Sequence, residues 1–192
     1  MPFVINPNER ENYDVFCYYE GVFTPEECQK IIEMGQSKVP NVAHIADGQI
    51  NTKIRKAKIS WIEWENENSW LFHKLGELAK DANNTRYQFQ ISGFLEALQY
   101  TEYTKKGDHY TWHSDFGKGK IAMRKLSQVL LLSKPEEYTG GELEFQGLID
   151  AKIPRTQGTL IQFPSFEYHR VTPLIKGNRK TLVTWLSGDP FR

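Results

Sequence analysis

The residues best equipped for chemistry in this chain are His113 and Asp115, one position apart, His169 fifty-six positions after His113, and Arg179 ten further on. Two imidazoles and one carboxylate form a facial ligand set. They hold Fe(II) at three positions and leave three open for substrate and O2. A guanidinium presents a planar fork of donors that grips a carboxylate through two parallel hydrogen bonds. Arg179 therefore suits a dicarboxylate co-substrate such as 2-oxoglutarate. The set predicts iron-dependent oxidation.

His-x-Asp alone is a weak signal, and its placement gives it weight. His113 and Asp115 follow a β-forming run, Tyr110 to His113, and precede the glycine-bearing loop Phe116-Gly117-Lys118-Gly119-Lys120. His169 opens another short run after the turn Pro164-Ser165, and Arg179 opens the next after Lys176-Gly177-Asn178. Strand ends of a closed barrel converge on one mouth, where a site belongs. Further strands are expected at Val15 to Tyr19, Lys53 to Trp64, Tyr87 to Ser92, Leu95 to Tyr103, Leu126 to Ser133, Glu142 to Phe145, Gly158 to Phe163 and Arg179 to Leu186, divided by glycine turns. On the last of these, Thr181, Val183 and Trp185 share a face with Arg179 by the period of two.

Two helices precede most of these strands. Thr24-Pro25-Glu26-Glu27 is a capping box with proline at the first helical position, opening a helix to about Ser37 with Cys28, Ile31, Ile32 and Gly35 on one face. A second runs from about Ser69 to Ala82, its inward stripe Leu71, Leu75, Leu78 and Ala79, and Asn83-Asn84 ends it. Early helices and many later short strands predict an α+β fold: a double-stranded β-helix (jelly-roll) core with N-terminal helices packed on one face. One domain is expected over 1–192, with helical support at about 1–86 and the jelly-roll core at about 87–192.

At 192 residues the chain suits a single core. Its 24 basic and 24 acidic side chains balance, so overall charge argues for neither nucleic acid nor an anionic membrane. No apolar run approaches membrane-spanning length. The N-terminus is polar and unlike a signal peptide, and Cys17 and Cys28 are expected reduced, although a bridge between them is the alternative. The expected location is cytoplasmic.

Tyr103…Gly107…Tyr110-x-x-His113-x-Asp115, Gly140-Gly141-Glu142-Leu143, Pro164-Ser165-x-x-x-His169-x-Val171-x-Pro173 and Gly177-x-Arg179 through Trp185 together resemble the motifs of the prolyl 4-hydroxylase-like superfamily of 2-oxoglutarate/Fe(II)-dependent dioxygenases. The resemblance covers about residues 95–187, and Phe23-Thr24-Pro25-Glu26-Glu27-Cys28 is similar to that family's opening. It implies that His113, Asp115 and His169 ligate Fe(II), that Arg179 binds the distal carboxylate of 2-oxoglutarate, and that Tyr103 hydrogen-bonds the same group. Thr181 joins them as a co-substrate pocket residue. O2 is the co-substrate, and ascorbate is the auxiliary reductant of such enzymes. The interval from Tyr103 to Gly107 is one residue longer than usual. Arginine rather than lysine at 179 is the choice of oxygen-sensing prolyl hydroxylases and a bacterial branch.

The implied reaction is hydroxylation of an unactivated C–H bond, of peptidyl proline first, with release of succinate and CO2. A free amino acid or small metabolite is the alternative substrate, and a non-catalytic jelly-roll binding metal or sugar is the alternative outside enzymology. A nucleic-acid demethylase would place its arginine about six residues after the distal histidine, where Ile175 stands. The loop 116–120 and the segment Val39 to Lys58 are candidate lids. Lys105, Lys106, Lys118, Lys120, Arg124 and Lys125 form a basic group best read as solvated loop charge.

Overall fold

A computed structural model describes residues 14–42, 51–148 and 151–190, with the backbone alone at 41 and 42. The first strand, β1 (Cys17–Tyr19), leads into α1 (Pro25–Ser37). Thr24 accepts from the Glu27 amide at 3.2 Å while the Glu27 carboxylate accepts from the Thr24 amide at 2.8 Å, so the expected capping box is formed. After β2 (Asn41–Val42), β3 (Arg55–Lys56) and β4 (Lys58–Ile62) comes α2 (Ser69–Ala82).

The remaining strands follow in sequence: β5 (Gly93–Phe94), β6 (Leu98–Tyr103), β7 (His109–His113), β8 (Arg124–Leu131) and β9 (Tyr138–Gly140). Then come β10 (Leu143–Phe145), β11 (Leu160–Pro164), β12 (His169–Val171), β13 (Leu174–Gly177) and β14 (Arg179–Ser187).

The strands form two main sheets. The major one runs β1-β11-β8-β14-β6-β4-β2 with β5 added on β14, and the minor one runs β10-β12-β7-β3. A two-stranded ribbon pairs β13 with β9. This is the jelly-roll expected from the short, turn-divided strands. Strands β1 to β4 all lie before residue 87, so the N-terminal part contributes to both sheets as well as supplying helices.

Both helices cover one face of the major sheet. Ile31, Ile32, Leu71 and Leu75 pack with Tyr100, Leu98, Leu130 and Leu182 in one buried cluster. Gly35 is needed where α1 crosses β6, because a Cβ there would run into the Tyr100 ring. The opposite face of the sheet, with Thr181, Val183 and Trp185, looks into the barrel.

Two local readings differ from the structure. Residues 87–92 are not a strand. After α2 the chain widens into a π-type turn, Asn83–Tyr87, and Gln88 takes the left-handed conformation at φ 55°. The Asn83 side chain accepts from the Phe89 amide and donates to its carbonyl, which satisfies the backbone without a sheet partner. The β13–β9 ribbon was not anticipated, because each strand is short and ends in a glycine with positive φ. Cys17 and Cys28 are both buried and free. Among the described residues no helix is long and apolar enough to cross a membrane.

Candidate active site

His113 ends β7 and His169 begins β12, and the two are directly opposed in the minor sheet. Strand pairing therefore brings together imidazoles fifty-six positions apart. Asp115 lies two residues beyond His113, where the chain turns inward. Its carboxylate oxygens stand 3.8 Å from the Nε2 atoms of His113 and of His169. One ligand atom from each residue falls within 4.8 Å of the others, and among the described residues this is the only such metal-competent group.

The tautomers are set by the backbone. His113 Nδ1 lies 2.8 Å from the Thr111 carbonyl oxygen and His169 Nδ1 lies 2.9 Å from that of Glu167. A carbonyl only accepts, so both Nδ1 atoms carry a proton, and Nε2 is the nitrogen that each ring turns toward the carboxylate. Burial, reinforced by the neighbouring His169, holds His113 well below its ordinary pKa. Burial alone would raise Asp115, but His169, His113 and Arg124 outweigh it and keep the carboxyl below its usual range. A neutral His113 beside an ionised Asp115 is the protonation state that metal binding requires of those two groups. The donor set fits Fe(II) on chemistry and geometry.

The triad opens onto a cavity of about 500 Å³ between the sheets. Arg179, Thr181, Val183 and Trp185 line it from β14, as alternation along that strand requires. Arg179 is 2% exposed, and among the described residues no carboxylate lies within ion-pair distance of it. Its Nε finds no hydrogen-bond partner. Burying a cation without a counter-charge is costly, so this arrangement is that of a receptor for an anion. Tyr103 is directly opposite Arg179 in the sheet, with the guanidinium carbon 5.3 Å from its ring centroid. Thr181 is buried opposite Thr101. All three side chains face the same cavity.

Gly141 explains part of the Gly-Gly motif. It sits at φ +66°, and a Cβ there would stand 2.9 Å from Arg179 Cδ. The motif thus makes room for the arginine.

Other predicted residues fall elsewhere. His109 bonds the carbonyls of Gly107 and Lys53 and takes no part in the triad. His73 lies exposed on α2, and His44 lies outside the described residues. The loop after Asp115 is followed by a 3-10 turn, Gly119–Met123, whose Ile121 lines the cavity. Of the second candidate lid, residues 43–50 lie outside the described residues.

The basic group divides. Lys105, Lys106, Lys118 and Lys120 are exposed, but Lys125 is buried and Arg124 is a wall of the site. Arg124 packs 3.6 Å from the Trp185 ring centroid and donates to both Glu96 carboxylate oxygens, at 2.7 and 2.5 Å. It also donates to the Asp115 carbonyl at 3.3 Å. Sequence reading missed Arg55, Trp61, Glu96 and Gln99 as cavity residues, and nothing in their spacing marks them. Tyr110, which begins the run that ends at His113, also lines the cavity, stacks on His113 with centroids 3.4 Å apart and carries Arg55 over its ring at 4.7 Å.

Residues 98–187 match the family model described as the 2OG-Fe(II) oxygenase superfamily. A PKHD-type hydroxylase from Hyphomonas neptunium is 42% identical over 88 residues, which is 42% of this chain and 38% of that protein. Another from Prochlorococcus marinus is 27% identical over 158 residues, 72% of this chain and 71% of that protein. The first two relatives are thus matched over little more than a third of their own length.

Among solved structures, a prolyl hydroxylase from Trichoplax adhaerens in complex with a hypoxia inducible factor peptide fragment superposes with TM-score 0.74 at 20% identity. It covers 90% of this chain and 83% of that one. A Pseudomonas putida prolyl-4-hydroxylase gives 0.72 at 18% identity, covering 91% and 93%. Motifs, fold and family model point the same way: residues 98–187 are similar to the 2OG-Fe(II) oxygenase superfamily, a family named for Fe(II) and 2-oxoglutarate, and the chain shares the fold of the prolyl hydroxylases it superposes on.

Proposed function

We propose that this chain hydroxylates an unactivated C–H bond, with peptidyl proline as the substrate. The observation that carries the oxygenase reading is the pairing of a three-donor metal site with a buried, anion-seeking Arg179 in one cavity. The reading assigns His113, Asp115 and His169 to Fe(II), and Arg179, Tyr103 and Thr181 to 2-oxoglutarate. When bound, iron and the 2-oxo acid supply an O2-derived oxidant strong enough to break an aliphatic C–H bond, with release of succinate and CO2.

The protein's own part is binding, orientation and exclusion of water. Two imidazoles turn their Nε2 atoms inward, and Asp115 supplies one negative charge. The dication, this carboxylate, the dianionic co-substrate and the Arg179 guanidinium sum to zero; in the same cavity Arg124 and Glu96 offset one another, and Arg55 adds a positive charge to the wall. Arg179 and Tyr103 fix the far end of the co-substrate, so that its 2-oxo end is directed toward the triad. Ile121 and the aromatic walls limit water entry.

Proline is favoured by the wall chemistry. Trp61, Tyr110 and Trp185 line the cavity and give it apolar wall area against which a saturated ring can pack. The names of the structural neighbours, prolyl hydroxylases with a peptide in one case, support the same reading. Arg55 favours a second reading. It adds another guanidinium to the cavity, which would suit the carboxylate of a free amino acid. A cytoplasmic location belongs to the proposal, supported by two buried, unbridged cysteines.

The test is incubation of the protein with Fe(II), 2-oxoglutarate and ascorbate against proline-containing peptides and free amino acids. Succinate is measured alongside a mass gain of one oxygen. Peptide hydroxylation is expected. Hydroxylation of free amino acids alone would overturn the peptidyl reading, and absence of succinate under every condition would overturn the enzyme reading.

A further inference from the structure

Asp115 is held by more than the loop that carries it. Its Oδ2 accepts a 2.8 Å hydrogen bond from Ser127 Oγ, on β8 in the major sheet. Ser127 Oγ is also 3.0 Å from Ser165 Oγ, just beyond β11. Both serines are completely buried. A hydroxyl has one proton, and an ionised carboxylate can only accept. Ser127 must therefore give its proton to Asp115, so the second contact runs from the Ser165 hydroxyl into the Ser127 oxygen. The direction of the chain is fixed: Ser165 to Ser127 to Asp115.

Ser165 grips the same loop a second way. Its carbonyl oxygen accepts from the Phe116 amide at 2.9 Å and from Ser114 Oγ at 3.1 Å. These are the two neighbours of Asp115. Its own amide donates to the Lys125 carbonyl at 2.9 Å, tying it to the start of β8. One residue thus fixes the backbone on both sides of the ligand and, through Ser127, one of its two carboxylate oxygens.

We propose that Ser127 and Ser165 are positioning residues that hold Asp115 as a one-oxygen ligand. The proposal rests on the reading of His113, Asp115 and His169 as a metal centre. A facial triad leaves three positions open only if each ligand takes one. A carboxylate free to rotate can take two, and one of the positions needed by the 2-oxo acid and O2 is then lost. Oδ1 stands 3.8 Å from His113 Nε2 and Oδ2 the same distance from His169 Nε2, so the two oxygens are equally placed toward the histidines; the charge-assisted hydrogen bond from Ser127 draws on Oδ2 and leaves Oδ1 the stronger donor. Outer hydrogen bonds of this kind carry about 10- to 100-fold in metal affinity or activity.

Co(II) affinity, by competition with a chelator, and the visible spectrum of bound Co(II) are measured for wild type, Ser127→Ala, Ser127→Thr and Ser165→Ala. Thermal melting of each metal-free protein accompanies them. Ser127→Ala should bind Co(II) about tenfold or more weakly and change the spectrum, while its metal-free melting stays near wild type. Ser127→Thr keeps the hydroxyl and should restore both affinity and spectrum. Ser165→Ala should lose less than Ser127→Ala, since the donor to Asp115 remains.

Wild-type affinity and spectrum in Ser127→Ala would overturn the proposal. So would equal impairment of the alanine and threonine variants, which would mark a packing effect. A greater loss in Ser165→Ala would reverse the order of the relay and overturn it too. Failure of the wild-type protein to bind Co(II) would instead sink the metal centre itself, and the relay with it.

Discussion

Replacing Arg179 with methionine separates a structural arginine from a receptor for co-substrate. Arg179 is 2% exposed, its Nε is unpartnered, and no carboxylate of the described residues pairs with it. Removing a buried charge that has no counter-ion should leave stability unchanged or raise it. In the loaded protein the same change strands a carboxylate in the cavity, a loss of about 3–5 kcal/mol. At 1.4 kcal/mol per tenfold, the dissociation constant for 2-oxoglutarate should rise by about 10²- to 4 × 10³-fold.

The assay is calorimetric titration with 2-oxoglutarate on protein loaded with a redox-inert divalent metal, together with thermal melting. At 100 times its wild-type dissociation constant, 2-oxoglutarate should stabilise the wild-type protein by about 2.7 kcal/mol. A variant bound only 100-fold more weakly should retain about 0.4 kcal/mol of that. The reasoning is refuted if Arg179→Met binds 2-oxoglutarate within about fivefold of wild type, a difference of only ~1 kcal/mol. A large fall in ligand-free stability would refute the other half, that the arginine serves no partner within the protein.

Other outcomes follow from the same geometry. Substituting His113 or His169 by alanine should abolish stoichiometric Fe(II) binding, read by metal analysis after anaerobic loading and desalting; full retention in both would remove the triad from the metal. The metal-free protein should lose stability on acidification. His113 is held down to about 3 from an ordinary 6.5, by burial first and His169 second, so between those values the unfolded chain takes up a proton that the native state refuses. Stability is then fully present above about 6.5 and declines by about 1.4 kcal/mol per unit toward 3, a slope that His113→Gln should flatten in denaturant titrations at several pH values. Gly35→Ala drives a methyl into the Tyr100 ring and should cost about 1–3 kcal/mol by chemical denaturation, and an unchanged midpoint would show that α1 is free to move away.

The chemistry was more legible than the substrate, and the reason is physical. His113, Asp115, His169 and Arg179 sit at strand ends, where turn residues punctuate the sequence and expose the pattern. The capping box at Thr24 and the period of two from Arg179 to Trp185 are local rules, and both elements formed where those rules place them. Residues 87–92 misled because their aromatics have strand character. The competing influence was Asn83, a side chain that meets the backbone needs of Phe89 from six residues away. Arg124 misled in the opposite way. Its neighbours in sequence are lysines, but its neighbours in space are Trp185 and Glu96. Only long-range pairing decides which of six nearby cations becomes a wall. Ser127 carries no local mark at all, because its significance lies in a hydrogen bond to Asp115 twelve residues earlier.

The two sheets divide the work unequally, and this bears on how selectivity can change. The minor sheet supplies both histidines, and the major sheet supplies Arg179, Thr181 and the aromatic Trp185. The proposed activity needs these at a fixed separation, and polar ties cross between the sheets at Asp115: Ser127 to its carboxylate, Arg124 to its carbonyl, Ser165 to the loop on both sides. The residues best placed to judge a substrate lie at the margins of this frame. Arg55 is on β3, an edge strand of the minor sheet, and Ile121 is on a 3-10 turn. Edges and turns tolerate substitution better than paired interior strands. Changes at Arg55 or Ile121 should therefore alter which molecule is oxidised while leaving metal and co-substrate binding intact. The motif-bearing strands report the reaction, and the elements that would report the substrate are those least constrained by it.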